Sequence, residues 1–358
     1  MKTTIEFLAF GTLALLLTLV FIPIIKKIAV KVNLVDKPNY RKVHTTPVPL
    51  VGGISIAFSA VLVILLSGNR LPFLMEYLPI VTSGFVLLIV GVIDDKIDVS
   101  AKYKLAIQLL LSLIIAFSGI RISSLYGLFG IDEIAVWAQY ILTIIVITGV
   151  VNAFNLMDGV DGLVGGLSVL GFTMFLLASV YFNDYYLGKI SVIFLGAIVG
   201  FLRFNLSKKK IFMGDSGSLF LGFLLVTLGI KFMEEQGSSQ NGYAYGFLLL
   251  VSFFSIPVLD SLRVYLGRIK QGNSPFKADK SHLHHLLLTA GLTHKKVAVS
   301  VVAFSMILFF IGFGLISYQS TSIIILLMMI VFWGIVRLLL MIKSLHEWRA
   351  TLKKLEQR

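Results

Sequence analysis

The chain has 358 residues, of which 57% are hydrophobic and only 14% are charged. Because soluble domains carry about a quarter charged residues, this composition excludes an ordinary soluble helical protein and predicts an integral membrane protein. The absence of cysteine excludes disulfides and thiolate metal sites, and the formal net charge of +13 predicts contact with anionic lipid headgroups and not with nucleic acid.

Apolar runs of about 20 residues recur along the whole chain and predict an all-α, polytopic helical bundle with about eleven spans. The predicted spans lie near residues 5–25, 51–67, 77–93, 103–120, 134–151, 163–182, 187–205, 216–233, 243–266, 297–317 and 321–343. We expect residues 1–358 to form a single membrane domain whose first span is retained, because it lacks a signal-peptide cleavage site. The tail from 344 to 358 is either a short amphipathic helix or a solvated charged end.

The distribution of basic residues predicts the orientation of these spans. The loops 26–50, 94–104, 203–210 and 263–296, together with the tail after 336, hold 26 Lys and Arg residues, and the opposite side holds 5. Because basic residues concentrate on the cytoplasmic side, we expect the N-terminus to lie outside and the C-terminus to lie in the cytoplasm.

The segment GVIDDKIDVSAKYKLAIQ, residues 91–108, joins the third and fourth predicted spans. It places Asp94, Asp95 and Asp98 at the end of one apolar run, and Lys102 and Lys104 at the start of the next. Adjacent carboxylates repel each other, and charge beside hydrocarbon is unfavourable. The segment therefore predicts a compensating interaction at this membrane edge.

Two further polar motifs fall on the same predicted side. The first, NAFNLMDGVDGLVGG, carries four polar residues that are three apart: Asn152, Asn155, Asp158 and Asp161. The second, FMGDSGSLFLG, carries Asp215 between two glycines. Six of the 18 acidic residues thus lie at three cytoplasmic membrane edges. Each motif alone is equally explained as a helix cap, but three on one face favour a hard divalent cation, Mg²⁺ or Mn²⁺.

A histidine cluster follows in the longest predicted cytoplasmic loop, KADKSHLHHLLLTAGLTHKK. Its His282, His284 and His285 either form a transition-metal site, such as a zinc site, or bind a polyanion such as a diphosphate together with nearby lysines. His44 lies in the first cytoplasmic loop, beside Arg41 and other basic residues. An anionic substrate, a divalent metal and a site at the membrane surface predict an enzyme that moves a phosphoryl group onto, or off, a lipid.

The ninth predicted span contains an acidic residue and a proline within SIPVLDSLRVY. Asp260 and Arg263 are three residues apart, which predicts a local ion pair on one helix face. Pro257 is expected to kink the span and could open a groove for a lipid tail.

In this order, DDKIDVSAKYKLAIQ, NAFNLMDGVDGL, FMGDSGSLFLG and SHLHH resemble the motifs of the polyprenyl-phosphate N-acetylhexosamine-1-phosphate transferases, glycosyltransferase family 4. The early VDKPNYRKVH and PLVGG match as well, so the resemblance runs from about residue 33 to residue 296. The histidine motif here reads HLHH after ADKS. It resembles the N-acetylglucosamine branch more than the branch that makes lipid I, whose motif has three consecutive histidines after a proline.

The resemblance implies three sets of site residues and an Mg²⁺ cofactor, for which Mn²⁺ could substitute. The catalytic set is Asp94, Asp95, Lys104, Asp158, Asp161 and His284. The substrate-binding set is His44, Asn152, Asn205, His282 and His285. The metal ligands are Asp215 and Asn155. Asp98 is shared by only part of the family and is assigned no role.

The implied reaction transfers N-acetylglucosamine-1-phosphate from UDP-GlcNAc to undecaprenyl phosphate and releases UMP, which initiates O-antigen, common-antigen or teichoic-acid assembly. We expect a multi-pass protein of the bacterial inner membrane with its active site facing the cytoplasm. The alternatives are transfer from another UDP-N-acetylhexosamine or from UDP-MurNAc-pentapeptide and, in another class, a cation transporter. A direct displacement is favoured over a covalent phospho-aspartate, and a homodimer is compatible with the sequence.

Overall fold

A computed structural model describes residues 2–38, 46–68, 70–236, 243–274 and 281–356 of the chain. Within these ranges the chain forms twelve helices and two antiparallel pairs of short strands. The helices are α1 (Lys2–Lys31), α2 (Gly52–Leu66), α3 (Arg70–Ile97), α4 (Ala101–Phe117), α5 (Val136–Asn155), α6 (Leu163–Phe182), α7 (Tyr185–Asn205), α8 (Gly214–Gln236), α9 (Tyr243–Lys270), α10 (Leu283–Thr289), α11 (His294–Leu315) and α12 (Thr321–Glu356). The strands are β1 (Val35–Asp36), β2 (Val48–Pro49), β3 (Ser124–Leu128) and β4 (Ile131–Glu133).

The predicted class, an all-α polytopic bundle, is confirmed. Among the described residues, nine helices are long and apolar enough to cross a membrane. The two remaining predicted spans are also helices, but α2 has 15 residues and α4 has 17. The count of eleven spans therefore stays a prediction. Neither the strands nor α10 was predicted, and the tail expected from residue 344 continues α12 without a break as far as Glu356.

Helix α8 is the central and most buried long helix of the described bundle. Its most apolar stretch is 94% buried, whereas the corresponding stretches of α1 and α12 are 17% and 28% buried. Small residues on α8 let neighbouring helices approach its backbone, which is how helices pack where lipid supplies no hydrophobic driving force. The peripheral helices keep apolar side chains on their outer faces, as a lipid surround requires.

Two glycines bring α2 and α3 into backbone contact with the start of α8. A Cβ atom built on Gly91 of α3 would lie 2.3 Å from the Cα of Ser216, and one on Gly53 of α2 would lie 2.3 Å from the nitrogen of Gly217. Only glycine allows this approach. Because Asp94 follows Gly91 by about one helical turn, the contact sets the acidic end of α3 beside the first turn of α8.

The connections α1–α2, α3–α4, α5–α6, α7–α8 and α9–α11 meet at one end of the bundle, called here the site end. Strands β1 and β2 belong to the first of them. Strand β2 and the start of α2 are joined to the α7–α8 connection by bonds from the Phe212 nitrogen to the Pro49 oxygen, 2.9 Å, and from the Gly52 nitrogen to the Phe212 oxygen, 3.0 Å. The β3–β4 hairpin lies at the opposite end, where Glu234 near the end of α8 accepts bonds from Ser123.

We expect Gly91→Ala to lower the free energy of unfolding by about 1–3 kcal/mol, because an added methyl group forces α3 away from α8. Gly334→Ala in α12 is the matched control, since no atom lies within 4 Å of its added Cβ. Thermal unfolding in detergent, followed by circular dichroism, measures both. Equal stability of the two variants would contradict the backbone contact.

Candidate active site

A cavity of about 950 Å³ opens at the site end and is lined by residues from all five connections and the adjoining helix ends. Eight of the predicted site residues line it: Asp94, Asp95, Lys104, Asp158, Asp161, Asn205, Asp215 and His285. Four others lie outside its lining: Asn152, Asn155, His282 and His284. His44 falls outside the described residues. The three acidic motifs therefore do converge on one space.

Lys104 connects two of these motifs. Its Nζ atom lies 2.6 Å from Oδ2 of Asp94 and 3.1 Å from Oδ2 of Asp215. Asp94 is 8% exposed, and its other oxygen accepts a bond of 2.7 Å from the backbone nitrogen of Val99. The ammonium thus neutralises part of the charge that α3 and α8 bring together, and it is the compensating interaction that the DDKIDVSAKYK segment predicts.

The spacing within this segment follows from the turn between α3 and α4. Asp98 has a φ of 56°, in the left-handed region, and its nitrogen donates to the Asp94 oxygen at 2.9 Å, which ends α3. The chain then reverses, so that Lys104 in the first turn of α4 reaches back to Asp94. Lys102 is exposed. Asp98 lines the cavity, and its backbone conformation is what the turn uses.

Asp95 points away from Lys104 and caps α8. Its Oδ1 accepts from the Asp215 nitrogen at 2.8 Å, and its Oδ2 accepts from the Ser216 nitrogen at 3.2 Å. These nitrogens belong to the first turn of α8, where helix N–H groups lack partners within the helix and favour a negative charge. Gly214 precedes them with a φ of 74°, and a Cβ there would lie 2.5 Å from Oδ2 of Asp95. Adjacent aspartates therefore have different partners.

We expect Asp95→Ala to lower the free energy of unfolding by about 1–3 kcal/mol, because two N–H groups of α8 lose their acceptor. Asp94→Ala is the matched control: it leaves Lys104 with Asp215 as a partner and should lower stability less. Denaturant unfolding of both variants in detergent measures the difference. A larger loss for Asp94→Ala would show that Asp95 is not the capping group.

Asn155, at the end of α5, supports Asp215. Its Nδ2 lies 3.4 Å from Oδ2 of Asp215, and its Oδ1 accepts from Oγ of Ser218 at 2.6 Å. The predicted metal-binding amide is therefore adjacent to the predicted metal-binding carboxylate, with its oxygen held by a serine one turn along α8.

The loop between α5 and α6 supplies Asp158 and Asp161. Partial burial raises the pKa of Asp158 well above its usual range, and the nearby negative charges of Asp215, Asp95 and Asp161 add to the effect. Asp161 is compensated: its Oδ2 lies 2.9 Å from Nζ of Lys210. The negative charge around Asp158 is not balanced in this way, which favours a cation there.

The sequence reasoning missed several charged or titratable residues that line the cavity, among them Lys210 and His294, as well as Asp36 and Lys96. His294 places its Nδ1 3.6 Å from Oδ2 of Asp161, at the first residue of α11. Lys210 and His294 belong to basic clusters, KKK at 208–210 and HKK at 294–296, which had been used only to orient the spans. A basic cluster close to an acidic motif is the signal that could have found them.

The two asparagines predicted to bind substrate, Asn205 and Asn152, form hydrogen bonds to other parts of the protein. Asn205 accepts from the Gly162 nitrogen at 2.7 Å and donates to the Ile211 oxygen at 2.8 Å, so it joins the α5–α6 and α7–α8 loops at the cavity wall. Asn152 donates to Oε1 of Gln108 at 2.5 Å, which pairs α5 with α4 away from the cavity. Asn152 shares the three-residue spacing of its motif but faces a neighbouring helix.

The histidine motif forms the start of α10, behind the cavity wall. Burial, together with His285 and His282, lowers the pKa of His284 to about 3, so this imidazole is neutral near pH 7 and offers a hydrogen bond, not a positive charge. A Cβ on Gly159 would lie 2.7 Å from Nε2 of His284, so the ring abuts the loop that carries Asp158. His285 lines the cavity itself.

The donor set around the cavity fits a hard divalent cation such as Mg²⁺. In the part of the chain that the structure describes, no three His, Asp or Glu side chains are arranged to hold a metal by themselves. Asp215 and Asp158 nonetheless supply hard carboxylate oxygens in a space with excess negative charge. Mg²⁺ is usually held by one or two carboxylates plus substrate phosphates, and not by a complete protein cage.

Comparison with known proteins shows the family of the chain. Residues 77–233 match the sequence profile described as glycosyl transferase family 4. A relative from Bacillus subtilis (strain 168), named a probable undecaprenyl-phosphate N-acetylglucosaminyl 1-phosphate transferase, is 32% identical over 87% of this chain and 84% of its own length. The chain belongs to glycosyl transferase family 4.

Relatives with closely similar names occur in other bacteria. Proteins of Yersinia pestis and Salmonella typhi, both named undecaprenyl-phosphate alpha-N-acetylglucosaminyl 1-phosphate transferase, are 31% and 33% identical over 83% of this chain. The family resemblance inferred from the motifs is thereby confirmed. The profile match contains the acidic residues and Lys104 and ends before the histidine motif. As a member of glycosyl transferase family 4 with many apolar helices, the chain is a multi-pass membrane protein.

Proposed function

We propose that the protein transfers N-acetylglucosamine-1-phosphate from UDP-GlcNAc to undecaprenyl phosphate, with release of UMP, at the cytoplasmic face of the bacterial inner membrane. The names of the relatives support undecaprenyl phosphate as the acceptor and N-acetylglucosaminyl 1-phosphate as the transferred group. The observation that carries the proposal is the bridge from Lys104 to Asp94 and Asp215 inside a polar cavity at one end of an apolar bundle. A phosphoryl transfer between two anions at a membrane surface needs this combination of charges.

In the proposed reaction, an oxygen of the lipid phosphate attacks the β-phosphorus of UDP-GlcNAc. The bond from this phosphorus to the oxygen bridging the two phosphates breaks, and UMP leaves with that oxygen. Lys104 stabilises the charge that develops on the phosphoryl oxygens. Asp215 and Asp158 would hold Mg²⁺ or Mn²⁺, which would supply the positive charge that neutralises the diphosphate and favours UMP as the leaving group.

Asp94 orients Lys104 in this proposal and does not accept a proton. Both of its oxygens are engaged, one by Lys104 and one by the Val99 nitrogen. The acceptor phosphate is already largely ionised near pH 7, because its second pKa is about 6. This supports a direct displacement over a general-base or covalent role for Asp94.

An apolar groove supports a binding site for the lipid tail. It has a volume of about 390 Å³ and is lined by α5, α9 and α12, including Val258 and Leu259 next to Pro257. Its lining reaches Ala153 on α5. Ala153 precedes Asn155, the neighbour of Asp215, by two residues, which is a rise of about 3 Å along a helix. We propose that the first isoprene units lie here, with the phosphate directed into the cavity.

The same purified protein also tests the two alternative functions, transfer from another UDP-sugar and cation transport. Other UDP-N-acetylhexosamines and UDP-MurNAc-pentapeptide carry the same diphosphate, so the charged residues named here do not separate them from UDP-GlcNAc. A cation transporter would place its binding residues near the middle of the membrane, and the acidic residues here lie at one end.

We expect purified protein to release UMP from UDP-GlcNAc only when undecaprenyl phosphate and Mg²⁺ are both present. Lys104→Met should lower kcat at least about 100-fold, the scale for loss of one charge-stabilising donor. Lys102→Met, two residues away and exposed, should stay within about twofold. A coupled UMP assay measures both. No UMP from wild-type protein, with cation flux in liposomes instead, would overturn the proposal.

The proposed orientation is tested by cysteine labelling, since the chain has no cysteine of its own. Cysteine at Ser100, which is exposed at the site end, should resist a membrane-impermeant thiol reagent in intact cells and react in inverted vesicles. Cysteine at Phe129, which is 81% exposed at the hairpin end, should behave in the opposite way. Labelling of the Ser100 position from outside would reverse the proposed topology.

A further inference from the structure

Asp260 is a fully buried carboxylate of α9 with more partners than its predicted local pair. The ion pair with Arg263 is present, at 2.7 Å between Nη2 and Oδ1. The carboxylate also accepts from the Leu283 nitrogen at 3.1 Å and 3.0 Å, and its Oδ2 lies 2.9 Å from Nδ1 of His282. Asp260 therefore contacts the histidine motif, which begins 22 residues later in the chain.

These bonds hold the start of α10 in place. His282 occupies the N-cap position of α10, and its own side chain makes no cap bond. Asp260 supplies the missing acceptor for the first N–H of the helix, at Leu283. Arg263 donates from Nη2 to the Ser281 oxygen at 2.5 Å. A neighbouring helix thus holds both sides of the N-cap residue.

The same carboxylate sets the proton position on His282. An ionised carboxylate only accepts hydrogen bonds, so Nδ1 of His282 must carry a proton and donate it to Asp260; in the neutral imidazole, Nε2 then keeps its lone pair. Nε2 is buried and has no hydrogen-bond partner among the described residues. A buried acceptor without a hydrogen-bond partner lowers the stability of the fold, so its retention here calls for a role.

Contacts between the histidine rings connect His282 to the cavity. The rings of His282 and His284 are nearly parallel, 6° apart, with centroids separated by 5.8 Å. His284 in turn abuts Gly159 in the Asp158 loop, and its ring centroid lies 4.3 Å from that of His285, which lines the cavity. The line of contacts runs from α9 to the cavity wall.

We infer that Asp260 is a positioning residue, which fixes the tautomer of His282 and the start of α10 and so holds His284 against the Asp158 loop and His285 at the cavity wall. It acts through the histidines and does not touch substrate. The effect on turnover rests on the proposed function, whereas the effect on the His282 tautomer does not.

The direct test is ¹⁵N NMR of protein labelled at its six histidines, with His282 assigned from the signal lost in His282→Asn. Wild-type protein should show His282 protonated at Nδ1. Asp260→Asn presents an N–H group to this nitrogen and should move the proton to Nε2, as carboxylate-to-amide changes beside a histidine do. A wild-type His282 protonated at Nε2, or an unchanged tautomer in Asp260→Asn, overturns the inference.

Kinetics supply the second readout. Asp260→Asn and His282→Asn should each lower kcat at least about tenfold, and the double variant should be no slower than the slower single one, because both changes break the same link. Multiplying effects overturn the inference while leaving the proposed function intact. Absence of UMP release from wild-type protein would overturn the function, and the NMR result would still decide the role of Asp260.

Glu234→Gln is the matched control, since it removes the charge of a carboxylate that ties two elements at the opposite end. Glu234 accepts from the nitrogen and hydroxyl of Ser123 and from the hydroxyl of Tyr126, at 3.1, 2.7 and 2.8 Å. We expect this variant to lose thermal stability with kcat unchanged. A loss of kcat in Glu234→Gln equal to that in Asp260→Asn would reduce the role of Asp260 to general stability and overturn the inference.

Discussion

The repulsion among carboxylates that share one cavity is the constraint on which the site end depends. Three of these carboxylates are compensated in different ways: Asp94 by Lys104, Asp95 by the first N–H groups of α8, and Asp161 by Lys210. Asp215 shares the Lys104 ammonium, and the pKa of Asp158 is raised. The protein thus neutralises most of the charge with its own groups. The excess around Asp158 and Asp215 is where a divalent cation would be most favourable.

This balance requires close packing behind it. Gly53 and Gly91 allow α2 and α3 to touch the backbone of α8, and one turn later the acidic end of α3 meets the first turn of α8. Asn205 joins two loops at the cavity wall, and Asp260 anchors the histidine motif to α9. The glycines therefore determine the positions of the helices, and the buried polar side chains determine the positions of the loops.

The sequence predicted the helices and the convergence of the acidic motifs well. Apolar runs mark the membrane spans, and basic loops indicate on which side of the membrane a loop lies. It did not reveal that Asp95 caps α8, since this contact joins residues 120 positions apart in the chain. Asn152 was misleading for the same reason: its spacing suits the site, yet its amide faces Gln108. The link from Asp260 to His282 and the strand pairs depend on tertiary contacts, which spacing along the chain does not reveal.

Under the proposed function, the cavity leaves a divalent cation incompletely coordinated until a diphosphate arrives. Titration of the purified protein with Mn²⁺, followed by electron paramagnetic resonance with and without UDP-GlcNAc, tests it most directly. We predict weak binding of Mn²⁺ alone and at least about tenfold tighter binding with the nucleotide sugar, a coupling of about 1.4 kcal/mol or more. Equally tight binding without UDP-GlcNAc would show a complete protein site, and no binding with it would remove the metal from the account.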